Sequence, residues 1–373
     1  MKIIADENMP FVRELFSEFG DVRLLAGRSM EPAQVAAADL LLVRSVTRVN
    51  AELLDRARNL RFVGSATVGV EHLDIPYLES RGIAHANAPG CNALAVAEYV
   101  LSSLLHLSGL HDFDLSKQTV AIVGAGNIGT ALADKLAALG VSVQLCDPPL
   151  ERAGDPRGFV PFKQVLKADI VSLHVPLTRT GPDATWHLLN QAVLAEFRAD
   201  QYLINTSRGA VIDNQALLAI KTSGLGPVVV LDVWEPEPDF VQALLPHVSL
   251  ATPHIAGFTQ EGRARGTLML YQWVCQMLHT TASIDLQKLL PPARPSRVDV
   301  ESYAPGQLWQ LLVPLVYEVK KDDRVFRQQA IKPGGFDRLR NMYWARREFS
   351  SLSVSNASPE AAAQLLALGF SCS

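Results

Sequence analysis

The stretch Gln118–Pro148, QTVAIVGAGNIGTALADKLAALGVSVQLCDP, restricts this chain more than any other. Thr119–Val123 is a β-branched, apolar run long enough for one buried strand and too short for a helix. It enters Gly124-Ala125-Gly126-Asn127-Ile128-Gly129, a G-x-G-x-x-G turn. Apolar residues then recur at helical period (Ile128, Leu132, Leu136, Leu139) up to Gly140, a stop signal. Val141–Cys146 reads as a second strand, with Asp147 at its end. A lone G-x-G-x-x-G carries little weight, but strand, glycines, helix, strand and acid in this order predict a Rossmann-type nucleotide domain. Gly124 permits the tight turn, Gly126 admits a pyrophosphate to the backbone, and Gly129 lets helix and sheet pack closely. The N–H groups of Asn127, Ile128 and Gly129 open a helix whose positive end faces the phosphates. Asp147 can accept from a ribose diol and would repel a 2′-phosphate. Pro148 and Pro149 follow it with no adjacent Arg, so the expected cofactor is NAD rather than NADP.

The 373 residues allow two or three domains. A hydrophobic content of 48%, charged content of 19% and net charge of −4 describe an ordinary globular protein, with no electrostatic case for nucleic acid or anionic membrane. Cys91, Cys146, Cys275 and Cys372 are scattered, and no His or Cys spacing predicts a metal site. The N-terminal MKIIADENMP has no apolar signal core, and no apolar run reads as bilayer-spanning, so the expected location is the cytoplasm.

Short strands (Lys2–Asp6, Val22–Ala26, Leu40–Ser45, Arg61–Ala66, Ile83–Asn87) alternate with helical or turn segments such as Met9–Phe19 before the fingerprint is reached. This is α/β patterning with a parallel sheet. Arg44-Ser45 and the loop Ser65–Val70, with Thr67, follow two of these strands, where ligands gather in open α/β sheets. Asn92 is a candidate N-cap for a long apolar helix, Ala93–Leu107. Further βα units follow Asp147, and Phe258–His279 reads as a helix returning to the first domain. Leu289–Pro295 is a linker, and the remainder has an apolar run (Leu308–Val319), a basic patch (Arg338, Arg340, Arg346, Arg347) and strand-like Phe349–Val354.

Three stretches beyond successive strands carry reactive groups: Asn205–Gly209 with Arg208, Asp232–Pro238 with Glu237, and Pro253–Gly257 with His254. An Arg to hold a carboxylate, a His to move a proton and a Glu to orient that His compose a hydroxy-acid oxidation site. Each alone has a bland reading as a surface or turn residue, and His174 in SLHVPLT reads as structural.

GAGNIG with Asp147, NTSRGAVID, LDVWEPEP and TPHIAG together resemble the D-isomer-specific 2-hydroxyacid dehydrogenases. KIIADENMP, LLVRSVTRVN, APGCNALAVAEYV and FDRLRNMYWARREFSSL resemble one subfamily, which acts on a phosphorylated hydroxy acid in vitamin B6 synthesis. The resemblance implies Arg208, Glu237 and His254 as the catalytic set. It implies Asp147, Val175, Thr206, Ser207, Arg208, Asp232 and Gly257 around NAD, and Ser45 and Thr67 on the substrate. Phe258 stands where the pattern has a substrate-contacting Tyr, and Val175 where it has a Thr, so two hydroxyls are missing. The substrate phosphate has two candidate partners, Arg44 and the Arg346-Arg347 pair reaching across a dimer. The implied architecture is a flavodoxin-like discontinuous substrate (lid) domain (1–93 and 257–285), an NAD-binding Rossmann domain (94–256) and a small α+β dimerisation domain (286–373) forming a homodimer. Two alternatives remain at this stage: a dehydrogenase for another hydroxy acid such as 3-phosphoglycerate, and an NAD-sensing dimeric interaction protein.

Overall fold

The computed structural model describes residues 1–303, 307–343 and 346–373. They divide into two compact units, Met1–Asn92 with Thr259–Pro292, and Ala93–Phe258 with Ala293–Ser373.

In the first unit, β1 (Lys2–Asp6), β2 (Asp21–Leu25), β3 (Leu40–Val43), β4 (Phe62–Ser65) and β5 (Ala84–Ala86) form one parallel sheet in the order β2-β1-β3-β4-β5. That is the flavodoxin-like order, in which β1 and β3 flank the switch point. The residues of β3 are all buried, as expected of a parallel strand covered on both faces. Ile3, Leu40, Leu42 and Phe62 pack against Leu270, Tyr271 and Val274 of the returning helix Gln260–Met277. The helix expected over Met9–Phe19 contracts to Val12–Phe16, because Pro10 precedes it and Phe11 adopts a left-handed φ of 59°.

In the second unit, β6 (Thr119–Val123), β7 (Ser142–Cys146), β8 (Ile170–Leu173), β9 (Tyr202–Asn205), β10 (Val228–Leu231) and β11 (Leu250–Ala251) are also all parallel, in the order β11-β10-β9-β8-β6-β7. A bridge between Leu145 and Phe159 extends the β7 side. The strand order reverses between β6 and β8, so the dinucleotide fingerprint after β6 opens at the switch point.

The C-terminal segment contributes a small parallel sheet, β12 (Arg297–Asp299), β13 (Ser353–Ser355) and β14 (Ser371–Cys372), with four helices between Leu308 and Leu368. Its strand-like Phe349–Val354 resolves into a tight 3₁₀ turn, Phe349–Ser351, followed by β13. The sequence sets this segment apart at residue 286, but packing joins it to the nucleotide unit. Tyr317, Phe349, Leu365 and Phe370 share one core with Val96, Val100, Leu132 and Leu136, and Phe326 and Phe336 share another with Trp234 and Phe240. The large apolar groups of the segment are therefore buried against the Rossmann sheet and its helices. Of the helices in the described residues, one, Ala93–His111, is long and apolar enough by length and composition to cross a membrane, which the sequence reading did not foresee. Twelve of its residues are buried in the second unit, which accounts for its apolarity. Asn92 does not cap it, since the Asn92 Oδ1 is buried without a hydrogen-bond partner.

Candidate active site at the carboxyl edges of the parallel sheets

The dinucleotide loop is shaped by space. A Cβ on Gly129 would stand 2.1 Å from the Gly124 carbonyl oxygen, and one on Gly124, at φ +92°, would stand 2.7 Å from the His174 carbonyl. No alternative residue fits either position without moving backbone. At Gly126 a Cβ would meet nothing within 4 Å, so the open side of the loop is where a ligand can approach. No side chain caps the helix Asn127–Ala138, which leaves its first-turn N–H groups for an anion. Asp147 accepts from the Ala125 N–H at 2.8 Å and the Leu150 N–H at 3.1 Å, so this acid is fixed beside the loop. These residues fit a dinucleotide. Arg157 is a nearby cation that the sequence reading overlooked. Asp155 grips it at 2.8 and 2.7 Å and Thr130 takes a third hydrogen bond, so its charge is already matched. Val175 contributes its backbone next to Gly124.

Thr206, Ser207 and Arg208 follow β9. Asn205 shapes their loop: its Oδ1 accepts from the Ser207 N–H and hydroxyl at 3.0 and 2.7 Å, and its Nδ2 donates to the Arg208 carbonyl. His174 lies against Thr206 at 3.2 Å and Ser172 at 2.8 Å, and burial depresses its imidazole to about 3. It stays neutral and structural, as the sequence implied. Gly209 brings this loop onto the next, since a Cβ there would overlap the Trp234 carbonyl.

Glu237 and His254 meet directly. The Glu237 Oε2 is 2.8 Å from the His254 Nδ1, while its Oε1 accepts from the Trp234 N–H at 2.9 Å. Burial pushes the Glu237 carboxyl up, but His254, the Trp234 N–H and the Arg340 guanidinium outweigh it and hold the carboxyl below its ordinary value. A carboxylate on Nδ1 makes that nitrogen the donor and leaves Nε2 as the acceptor.

The His254 loop is clamped from both sides. Asp232, buried after β10, accepts from the N–H groups of Ile255 (2.8 Å) and Ala256 (3.0 Å) and from the Thr252 hydroxyl. Arg346 approaches from the C-terminal segment, donating to the carbonyls of Ile255 (3.0 Å), Ala256 (2.6 Å) and Ala95 (2.8 Å). It is 6% exposed and lies 4.1 Å from the Tyr317 ring centroid. Thus Arg346 does not reach across a dimer to a phosphate, because its guanidinium is committed inside its own subunit. Asp232 likewise has both oxygens engaged by the loop, a role that its place in the sequence did not reveal. Phe258, just past Gly257, carries the Arg340 guanidinium 5.7 Å above its ring.

In the first unit, Arg44-Ser45 and Thr67 follow the adjacent strands β3 and β4. Arg44 pairs with the buried Asp6 at 3.1 Å, and Ser65 links Thr67 (2.7 Å) to His72 (2.8 Å). Ser45 is exposed. One further cluster had no sequence signal: the His187 Nε2 lies 2.9 Å from both oxygens of Glu235, and its Nδ1 lies 3.7 Å from Asp213. Imidazole–carboxylate pairing accounts for that geometry.

A family model described as D-isomer specific 2-hydroxyacid dehydrogenase, NAD binding domain, matches residues 105–256, and one described as a domain of unknown function matches residues 289–369. The erythronate-4-phosphate dehydrogenase of Tolumonas auensis is 47% identical over 373 residues, covering 100% of both chains. That of Aeromonas salmonicida is 51% identical, covering 99% of each. This chain belongs to the erythronate-4-phosphate dehydrogenase family. Within the wider D-isomer-specific group, a solved structure from Thermus thermophilus is 27% identical with a TM-score of 0.61, covering 76% of this chain and 98% of its own. A family member of this length therefore carries a part that such a neighbour lacks, and Arg346 and Arg340 belong to the segment matched by the second family model.

Proposed function

We propose that the chain oxidises 4-phospho-D-erythronate to 3-hydroxy-2-oxo-4-phosphooxybutanoate with NAD, a step in pyridoxal 5′-phosphate synthesis. The observation that carries the reading is the 2.8 Å contact between Glu237 and His254, on a loop that packs against the one bearing Arg208. NAD, held by the Gly124–Gly129 loop, Asp147 and the Thr206–Arg208 loop, supplies the hydride acceptor. The His254 Nε2 takes the C2 hydroxyl proton as general base. Glu237 fixes the ring through Nδ1 and stabilises the imidazolium that forms. Arg208 holds the C1 carboxylate and polarises the C2 oxygen. Ser45, Thr67 and Arg44 keep the substrate contacts that the family pattern assigns them.

The protein works in the cytoplasm as a homodimer through its C-terminal segment. Leu311, Leu315, Ile331 and Met342 support this, being 47–77% exposed in one segment whose other apolar groups are buried. Light scattering on a size-exclusion column should return twice the chain mass, and a monomeric mass would overturn the dimer.

The decisive assay is NADH formation with 4-phosphoerythronate, 3-phosphoglycerate, D-lactate and erythronate in parallel, repeated with a 2-oxo acid present to reoxidise the cofactor. Preference for 4-phosphoerythronate is the expected outcome. Preference for another hydroxy acid would discard the substrate, and silence despite NADH binding would favour an NAD-sensing role.

A further inference from the structure

The reading above leaves the substrate phosphate without a partner. The molecule has a carboxylate at C1, the reacting hydroxyl at C2 and the phosphate on C4, so a cation is needed at the end away from Arg208. Of the basic patch, Arg346 is committed to three carbonyls, and Arg338 is exposed and donates to the Pro333 carbonyl. Arg44 is paired with Asp6.

Arg340 differs from these. It lies on the short helix Gly335–Asn341, is only partly exposed, and its Nε is buried without a hydrogen-bond partner. No ion pair or hydrogen bond to its guanidinium occurs among the described residues. Its guanidinium stands over the Phe258 ring, four residues past His254, and lies near enough to Glu237 to act on its charge. Withdrawing a guanidinium from water without pairing it is unfavourable. A planar fork held over an aromatic face is also the geometry that suits a phosphate or carboxylate ligand. Phe258 itself has no hydroxyl to offer at this position.

Resting on the substrate reading above, we propose that Arg340 binds the phosphate of the substrate and sets the preference for a phosphorylated over an unphosphorylated hydroxy acid. The C-terminal segment then contributes a specificity-determining residue from within the same subunit, and Phe258 serves as the platform that aims it.

The test is steady-state kinetics of the full-length protein with NAD and either 4-phosphoerythronate or erythronate, for the parent, R340Q and R340K. R340Q should lower the ratio of kcat/KM for the phosphorylated over the unphosphorylated acid by on the order of 10- to 100-fold, mainly through KM. R340K, which keeps the charge but not the fork, should recover part of that ratio. NADH binding by fluorescence reports folding, and R340K carries the test alone if R340Q loses it. A parent that prefers the phosphorylated acid, with both variants keeping that preference, overturns the proposal and leaves the substrate reading standing. Equal loss on both acids with a shifted pH profile also overturns it, because Arg340 would then act through Glu237. A parent indifferent to the phosphate overturns the substrate reading and this proposal together.

Discussion

Two loops of the second unit serve the same chemistry and are built on opposite principles. The Gly124–Gly129 loop is shaped by the atoms it lacks: at Gly124 and Gly129 the backbones are too close for any Cβ, and at Gly126 the space is open. The Pro253–Gly257 loop is held by atoms supplied from elsewhere. Asp232 takes its N–H groups, Arg346 takes its carbonyls, and Trp234 donates to the Thr252 carbonyl just before it at 2.9 Å. A phosphate-binding loop needs close approach and bare N–H groups, which glycine supplies locally. A general base needs its ring fixed within a fraction of an ångström, which takes a shell of supporting bonds.

His254→Ala removes the group that the clamp presents while leaving the clamp intact. Turnover should fall by roughly 10²–10⁴ with NADH affinity unchanged, as read from kcat and fluorescence titration. Equal turnover in the variant would sink its role as base. Gly129→Ala attacks the other loop. The added methyl must displace the Gly124 backbone, so NADH affinity should fall at least about tenfold, with stability lower by about 1–3 kcal/mol in urea unfolding. If that variant binds NADH normally, the loop is not shaped by space.

Arg346→Met sharpens the contrast, because the substitution is remote in sequence and keeps an apolar stem. Losing the charged hydrogen bonds to Ile255 and Ala256 should destabilise the chain by about 3 kcal/mol and lower kcat more than NADH affinity. A variant with unchanged kcat would mean that Asp232 alone sets the loop.

The smallest effect concerns what lies behind the clamp. Glu98 is buried and accepts from the Phe349 N–H at 3.1 Å, with Lys135 at 3.7 Å. Burial, opposed by Lys135 and reinforced by Glu348, raises its carboxyl to about 8. Between the ordinary carboxyl range and about 8 the folded chain holds a proton that the unfolded chain has lost, so this group makes stability fall as pH rises through that window. Glu98→Gln has no proton to lose there, and its urea midpoint should decline less from pH 5 to pH 8 than that of the parent. Parallel slopes in the two proteins would refute this.

Much of the molecule is legible in the chain because the signals are local. Strand β6, the glycines, the following helix and Asp147 are contiguous, and each is decided by the period of apolar residues or by the lack of a side chain. Arg208, Glu237 and His254 were also legible, since each follows a strand in a parallel sheet whose carboxyl ends share one edge. Three features were not. Arg346 looked like a surface charge because nothing within its own stretch shows that Tyr317 and the His254 loop enclose it. Asp232 looked like a cofactor ligand because the N–H groups that engage it lie more than twenty residues on. The C-terminal segment looked like a separate domain because a linker precedes it, while Phe326 and Phe336 show no sign in sequence that Trp234 and Phe240 are their partners.

By itself, then, the sequence determined the sheet class, the dinucleotide loop and the identity of the reacting side chains, through short-range periodicity and the sterics of glycine. Tertiary structure alone decided which charges are spent on the fold and which stay available. Burial and hydrogen-bond partnership depend on residues brought together from across the chain. Arg346 and Arg340, six positions apart, differ only in what packing places around them.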